Sequence, residues 1–268
     1  MGVTRPVTIG DVLQWLTERG SRPEPTVDEL MFGSEETEVT GIVTTFVAAQ
    51  HVLEQAAGLG ANLVISHEGI FYSHHERQDT LQDDPVYRTK REWLVQSGIA
   101  VYRFHDHVHR YEPDAITEGL VRDLGWAPYV DERLPAATIV RIPDTSVTSI
   151  AEAVKTKLGI PYVRAVGDTA ASCSRIGLLA GYRGGGSTAI PLFESRKLDL
   201  IIAGEGPEWE TPEYVRDAVH QGRRKSLLLI GHAASEEPGM RYVAGLLGER
   251  FPGVPVRFIP AKPLFELL

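Results

Sequence analysis

Residues Gly60–Tyr72 read GANLVISHEGIFY, and residues Arg196–Trp209 read RKLDLIIAGEGPEW. Both are short apolar runs that end in a Glu-Gly pair, Glu68-Gly69 and Glu205-Gly206. An unbroken apolar run of this length suits a strand buried on both faces of a parallel sheet. The likeness extends outward in both directions. Thr44 and Gly181, each at the end of a preceding strand pattern, stand 24 residues before Glu68 and Glu205. Each Glu-Gly pair is followed by a helical pattern, a further strand pattern and a histidine just past it, His105 and His232. Four residues on comes another side chain of ligand type, His109 or Glu236. An ordered series of this kind reads as an ancient duplication of one α/β unit.

The remainder of the chain supports layered α/β architecture with largely parallel sheets. Thr8 is placed to cap a first helix with Ile9, Val12, Leu13 and Leu16 on its apolar face. Strand patterns cover 39–45, 62–66, 99–104, 137–142, 162–166, 176–180, 198–203, 226–230 and 254–259. Helical patterns cover 48–59, 85–97, 113–124, 146–158, 187–196, 211–221 and 236–249, with Gly60 as a terminating glycine, Ser146 as one cap and Ser235 as another. In open parallel sheets ligands bind outside the carboxyl ends of the strands. His67, Glu68, His105, Glu205 and His232 all follow predicted strands, so two halves that face each other would bring them to one cleft.

Composition narrows the function. The 268 residues carry a net charge of −9, which argues against a general nucleic-acid binder. Cys173 is the single cysteine, so neither an internal disulfide nor a multi-cysteine zinc site is available. No apolar stretch is long enough for a membrane span, and MGVTRPVTIGDVLQWL lacks the apolar core of a secretory signal. A soluble cytoplasmic protein is the expectation. The run Gly184-Gly185-Gly186-Ser187 lacks the Lys-Ser/Thr of a phosphate loop and reads as a tight turn, with an anion cradle beside Arg183 as the alternative.

Histidine is distributed unevenly. Six of the nine histidines, His67, His74, His75, His105, His107 and His109, fall within 67–109. Neutral imidazole is the commonest metal ligand, and mixed imidazole and carboxylate donors suit zinc, iron, manganese, cobalt or nickel. His67, Glu68, His105, His109, His232 and Glu236 are six side chains able to hold two such ions with positions left for water. His107 reads as an outer partner, Asp106 as an acceptor for a ligand histidine's other nitrogen. His74 and His75 sit in a polar loop with Glu76 and Arg77.

SHEGIFY, RFHDHVH, GHAASEEPGM and the terminal VRFIPAKPLF together resemble the Nif-three-like family, also called GTP cyclohydrolase I type 2 homologues. The resemblance runs in order over almost the whole chain. Its most specific part is Gly231, His232, Ser235 and Glu236. It implies two intertwined α/β halves with a dinuclear metal centre between them, and a homo-oligomer, a hexamer. Intertwining makes the first domain discontinuous, 1–134 plus 232–268, around a second at 135–231. Two positions depart from the family pattern. Glu68 stands where many members have a second histidine, and His109 where many have aspartate. The ligand count is kept, and bridging passes to Glu68 or Glu236.

Two functions follow. One is a metal-dependent hydrolase acting on a small molecule, by resemblance a nucleotide such as GTP, with Glu205 or one of His74, His75 and His107 as the proton shuttle. The other is a non-enzymatic metal-binding protein or a partner of regulatory proteins.

Overall fold

The computed structural model describes residues 5–21, 23–75 and 80–266. Two compact units emerge, Met1–Glu112 with Met240–Leu268, and Pro113–Gly239. In chain order the first contains α1 (Ile9–Thr17), β1 (Glu29–Phe32), β2 (Ile42–Val47), α2 (Gln50–Gly58), β3 (Leu63–Glu68), α3 (Pro85–Ser97) and β4 (Ala100–Arg103). The second contains α4 (Ala115–Asp123), β5 (Val130–Leu134), β6 (Ala137–Ser146), α5 (Val147–Leu158), β7 (Arg164–Gly167), β8 (Ser172–Leu179), α6 (Gly186–Ser195), β9 (Leu200–Ala203), α7 (Thr211–His220) and β10 (Ser226–Leu229). Helix α8 (His232–Arg250) begins in the second unit and ends in the first, followed there by β11 (Val256–Phe258).

Local chemistry explains the element ends. The Thr8 hydroxyl accepts the Asp11 N–H while the Asp11 carboxylate accepts the Thr8 N–H, a reciprocal cap that starts α1. Asp84 caps α3 by accepting from Val86 and Tyr87, with Pro85 in the first turn where its missing N–H costs nothing. Gly98 ends that helix in the left-handed region. Among the described residues no helix is long and apolar enough to cross a membrane.

The two units repeat one topology. The first sheet has the order β1-β4-β3-β2-β11 and the second β5-β6-β8-β9-β10-β7. In each, three successive parallel strands form the centre: β2, β3, β4 and β8, β9, β10. In each, the strand that precedes the trio returns antiparallel to its third member, β1 to β4 and β7 to β10. The flanks differ. The first sheet adds parallel β11 beside β2, and the second adds the antiparallel β6 and β5 beside β8. The parallel character therefore resides in the central trios.

These trios are the cores. β2, β3 and β4 are buried almost throughout, and Val43, Val64 and Val101 pack with Val52, Leu53 and Ala56 of α2 and Tyr87 and Leu94 of α3. In the second unit Leu179, Ile201, Ala203 and Leu227 pack with Ala189 and Phe193 of α6 and Val215 of α7. Burial of each valine, leucine, isoleucine or phenylalanine among them contributes about 1.5–3 kcal/mol.

Three local expectations change. β1 and β5 carry no clear strand signal: β1 is a partly exposed edge, and β5 interrupts its alternation with Asp131, Glu132 and Arg133. Ser235 is not a cap, because α8 already starts at His232. The Ser235 hydroxyl instead donates to the His232 carbonyl at 2.7 Å and accepts the Gly181 N–H at 2.8 Å.

Phe193 is fully buried in the second core. Phe193→Ala is expected to cost about 3–5 kcal/mol in urea unfolding, from lost transfer energy and the cavity left behind.

Candidate metal centre

In the first unit the donors stand at the carboxyl ends of β3 and β4. The parallel register pairs Ser66 with Arg103, so His67 meets the chain at Phe104. His67 is fully buried, and its Nδ1 lies 3.1 Å from the Phe104 carbonyl oxygen. A carbonyl only accepts, so Nδ1 carries the hydrogen and Nε2 keeps the lone pair. The His105 Nδ1 lies 3.0 Å from Asp106 Oδ1 and donates there, which directs its lone pair to Nε2 as well. Burial opposes ionisation of Asp106, but the Val27 N–H, His105 and Thr26 together hold its carboxyl below the usual range. The rings of His67 and His105 stack at 4.6 Å, and His109 sets its ring edge-on at 5.1 and 5.4 Å from them. One ligand atom from each of the three lies within 4.8 Å of the others.

Asp28, just before β1, shapes this loop. Its carboxylate accepts three successive backbone N–H groups, from His105 at 2.7 Å, Asp106 at 2.8 Å and His107 at 2.9 Å. Nothing in the sequence pattern marked Asp28, since its partners lie 77–79 residues away.

Glu68 joins a second group with His74 and His105. Its Oε1 is 3.6 Å from His105 Nε2 and its Oε2 is 3.7 Å from His74 Nδ1. The buried Arg103 donates from Nη2 to Glu68 Oε2 at 3.2 Å and to His74 Nδ1 at 3.1 Å, and from Nη1 to the His74 carbonyl. Burial first, then Arg103 and His105, lower the pKa of His74. The loop histidine thus stands against Glu68. His75 rests edge-on against it, and Glu76 and Arg77 lie outside the described residues. Arg103 was visible within RFHDHVH, but only the fold shows what it grips.

His107 joins neither group. Its Nε2 donates to the Arg19 carbonyl at 2.6 Å and its ring stacks on Phe104, so it ties the loop to the end of α1. That bond occupies the nitrogen a proton shuttle would use.

In the second unit His232 opens α8 and lies between two carboxylates. Its Nδ1 is 2.9 Å from Glu205 Oε1, and its Nε2 is 3.1 Å from Glu236 Oε2. Burial disfavours the imidazolium, but Glu236 and Glu205 outweigh it and raise the pKa to about 9. Gly181 makes this packing possible. A Cβ there would stand 2.1 Å from Glu236 Oε1 and 3.3 Å from His232 Nε2, and its φ of +67° is the left-handed conformation glycine tolerates. The only sequence signal for Gly181 was its place in the repeat. The glycine run is a turn satisfied internally: the Gly184 N–H bonds to the Glu205 carbonyl, and the Gly186 N–H to the Glu210 carboxylate. Arg183 is committed to Asp114 at 2.8 Å.

The donor set fits a divalent transition metal. Two imidazoles have their tautomers held by second partners so that Nε2 is the ligand atom, a recurrent feature of metal-bound histidine, and carboxylates stand beside them. Two outcomes are expected. Asp28→Ala leaves three N–H groups without their acceptor and weakens metal affinity about 10–100-fold, read by competition with a chelator. In metal-free protein the raised pKa of His232 contributes stability that is full below about pH 6.5 and fades as pH rises through about 9. The difference in urea stability between wild type and His232→Asn should accordingly shrink from about pH 6 to about pH 10.

The Duf34/NIF3 (NGG1p interacting factor 3) family model matches residues 29–263. A "GTP cyclohydrolase 1 type 2 homolog" of Clostridium perfringens is 26% identical over 245 residues, covering 87% of each chain. A protein of the same description from Lactococcus lactis is 24% identical over 182 residues, 66% of this chain and 68% of that one. Among solved structures, a Bacillus cereus protein related to NIF3 superposes with a TM-score of 0.78 at 13% identity, covering 99% of this chain and 100% of that one. Staphylococcus aureus hypothetical protein SA1388 superposes with a TM-score of 0.75 at 17% identity, covering 98% and 100%. At such identities the structural likeness speaks to fold alone. The match over 29–263 carries the family: the chain belongs to the Duf34/NIF3 family.

Proposed function

We propose that this protein is a metal-dependent hydrolase of a nucleotide-like substrate, holding two divalent ions. The proposed ligands are His67, Glu68, His105 and His109 in the first unit and His232 and Glu236 in the second. The observation that carries the reading is the pair His67 and His105, whose Nδ1 hydrogens are bound by the Phe104 carbonyl and Asp106 so that both present Nε2. When bound, such ions lower the pKa of a water and polarise an electrophilic centre.

The chain's own side chains supply the rest. Asp106 and the Phe104 carbonyl orient two imidazoles and raise their basicity. Glu205 Oε1 orients His232 through Nδ1 while its side chain remains 41% exposed, so proton exchange with a bound substrate falls to Glu205. Arg103 secures Glu68 and the His74 loop. The substrate class is supported by the description of the Clostridium perfringens relative, and a homo-hexameric assembly is proposed from the family resemblance alone.

Elemental analysis beside a nucleotide hydrolysis screen tests this. About two transition-metal ions per chain are expected, with content reduced in Glu236→Ala and turnover lowered about 100-fold or more. Turnover that survives complete metal removal would sink the hydrolase reading. Metal retained without turnover would favour a binding role.

A further inference from the structure

We propose that the second unit carries an oxyanion pocket at the amino ends of β8 and β9 that takes the phosphoryl group of a small molecule. A cavity of about 540 Å³ is lined there by Arg141 of β6, Ser174 and Arg175 of β8, Arg196 and Lys197 after α6, and Asp199 before β9. Small-molecule pockets span about 300–1,000 Å³, so there is room for an organic group beyond the phosphoryl.

Several independent features converge on it. Arg141 and Arg175 stand directly opposite each other in the β6–β8 register, an arrangement of like charges that disfavours the sheet without a counter-charge. Arg175 is anchored by donation from Nε to the Arg196 carbonyl at 2.6 Å and from Nη1 to Asp131. Arg196 is anchored by donation from Nε to Glu132 at 2.7 Å. Both guanidinium groups are thus pre-positioned with terminal N–H groups remaining, which lowers the ordering cost of binding. Asp199 adds no open acceptor at Oδ2, which receives the N–H groups of Ser174 and Arg175 at 3.1 and 3.0 Å.

Lys197 is the most telling residue. Its φ of +50° places it in the left-handed region where α6 ends, with the Leu198 N–H bonding back to the Phe193 carbonyl. Glycine holds such a position at least cost. Here it is an exposed lysine, and among the described residues its side chain and that of Arg141 make no hydrogen bond or ion pair. Counting Asp131, Glu132 and Asp199 against the four cations leaves a local excess of positive charge on a chain whose net charge is −9. Donors arriving from three elements suit a tetrahedral oxyanion better than a carboxylate, which one guanidinium fork satisfies.

The pocket is distinct from the Glu205–His232 end. Gly181 lies six positions beyond Arg175, just past the end of β8, roughly 20 Å along extended chain. The inference therefore stands apart from the hydrolase reading.

Calorimetric titration of the full chain with inorganic phosphate, and separately with a nucleoside triphosphate, at ionic strength matched with chloride, tests it. Binding is expected in wild type and in Glu236→Ala, and about tenfold or more weaker in the Arg141→Ala/Lys197→Gly double variant. The glycine relieves the backbone, so that variant should melt no lower than wild type. Equal saturation by both ligands assigns the site to the free oxyanion, and tighter nucleotide binding that persists in Glu236→Ala and is lost in the double variant assigns it to an organic phosphate. Heat no greater than for chloride, or binding unchanged in the double variant but lost in Glu236→Ala, overturns the proposal.

Discussion

The parallel register of β3 against β4 is the constraint on which the first unit's histidine cluster depends. Pairing Ser66 with Arg103 sets the first residue beyond that pair in one strand, His67, beside the first beyond it in the other, Phe104. The hydrogen bond from His67 Nδ1 to the Phe104 carbonyl then continues the sheet with a side chain where backbone pairing has ended. His105 follows at once and stacks on His67. Such a site requires the chain to turn sharply after β4, and Asp28 drives that turn by satisfying three backbone N–H groups with one carboxylate. A buried turn with those groups unsatisfied would cost several kcal/mol.

The second unit holds its histidine in a similar way and adds a further carboxylate. Its histidine, like His105, has Nδ1 held by a carboxylate, here Glu205, but its Nε2 faces a second carboxylate, Glu236, at 3.1 Å. Two carboxylates around one imidazole favour a proton, which is why His232 is raised to about 9. A metal at Nε2 must displace that proton, so binding there is coupled to proton release.

Much of this was legible in the chain. The extent of α3, the Thr8 cap and the apolar faces of the central strands rest on neighbours a few residues apart, and the repeat shows as the same local patterns recurring in the same order. Residue type and position after strands likewise marked His67, His105, His232 and Glu236. What escaped was the support around them. Asp28 acts on residues almost eighty positions away. Gly181 matters because a Cβ would strike Glu236, a contact between residues far apart in sequence. The surroundings of His107 and His74 were hidden for the same reason: the alternation of histidines in RFHDHVH does not say which ring turns toward Arg19, nor which distant loop Arg103 gathers in.

The amino-acid sequence by itself determined the architecture, the family and the kinds of donor atoms available, because periodicity, capping and residue chemistry are local properties. Tertiary structure alone decided which nitrogen of each histidine keeps its lone pair, which charges face one another, and which glycine has no room for a side chain. Those depend on hydrogen-bond partners and steric neighbours that come together only when distant strand ends are packed side by side.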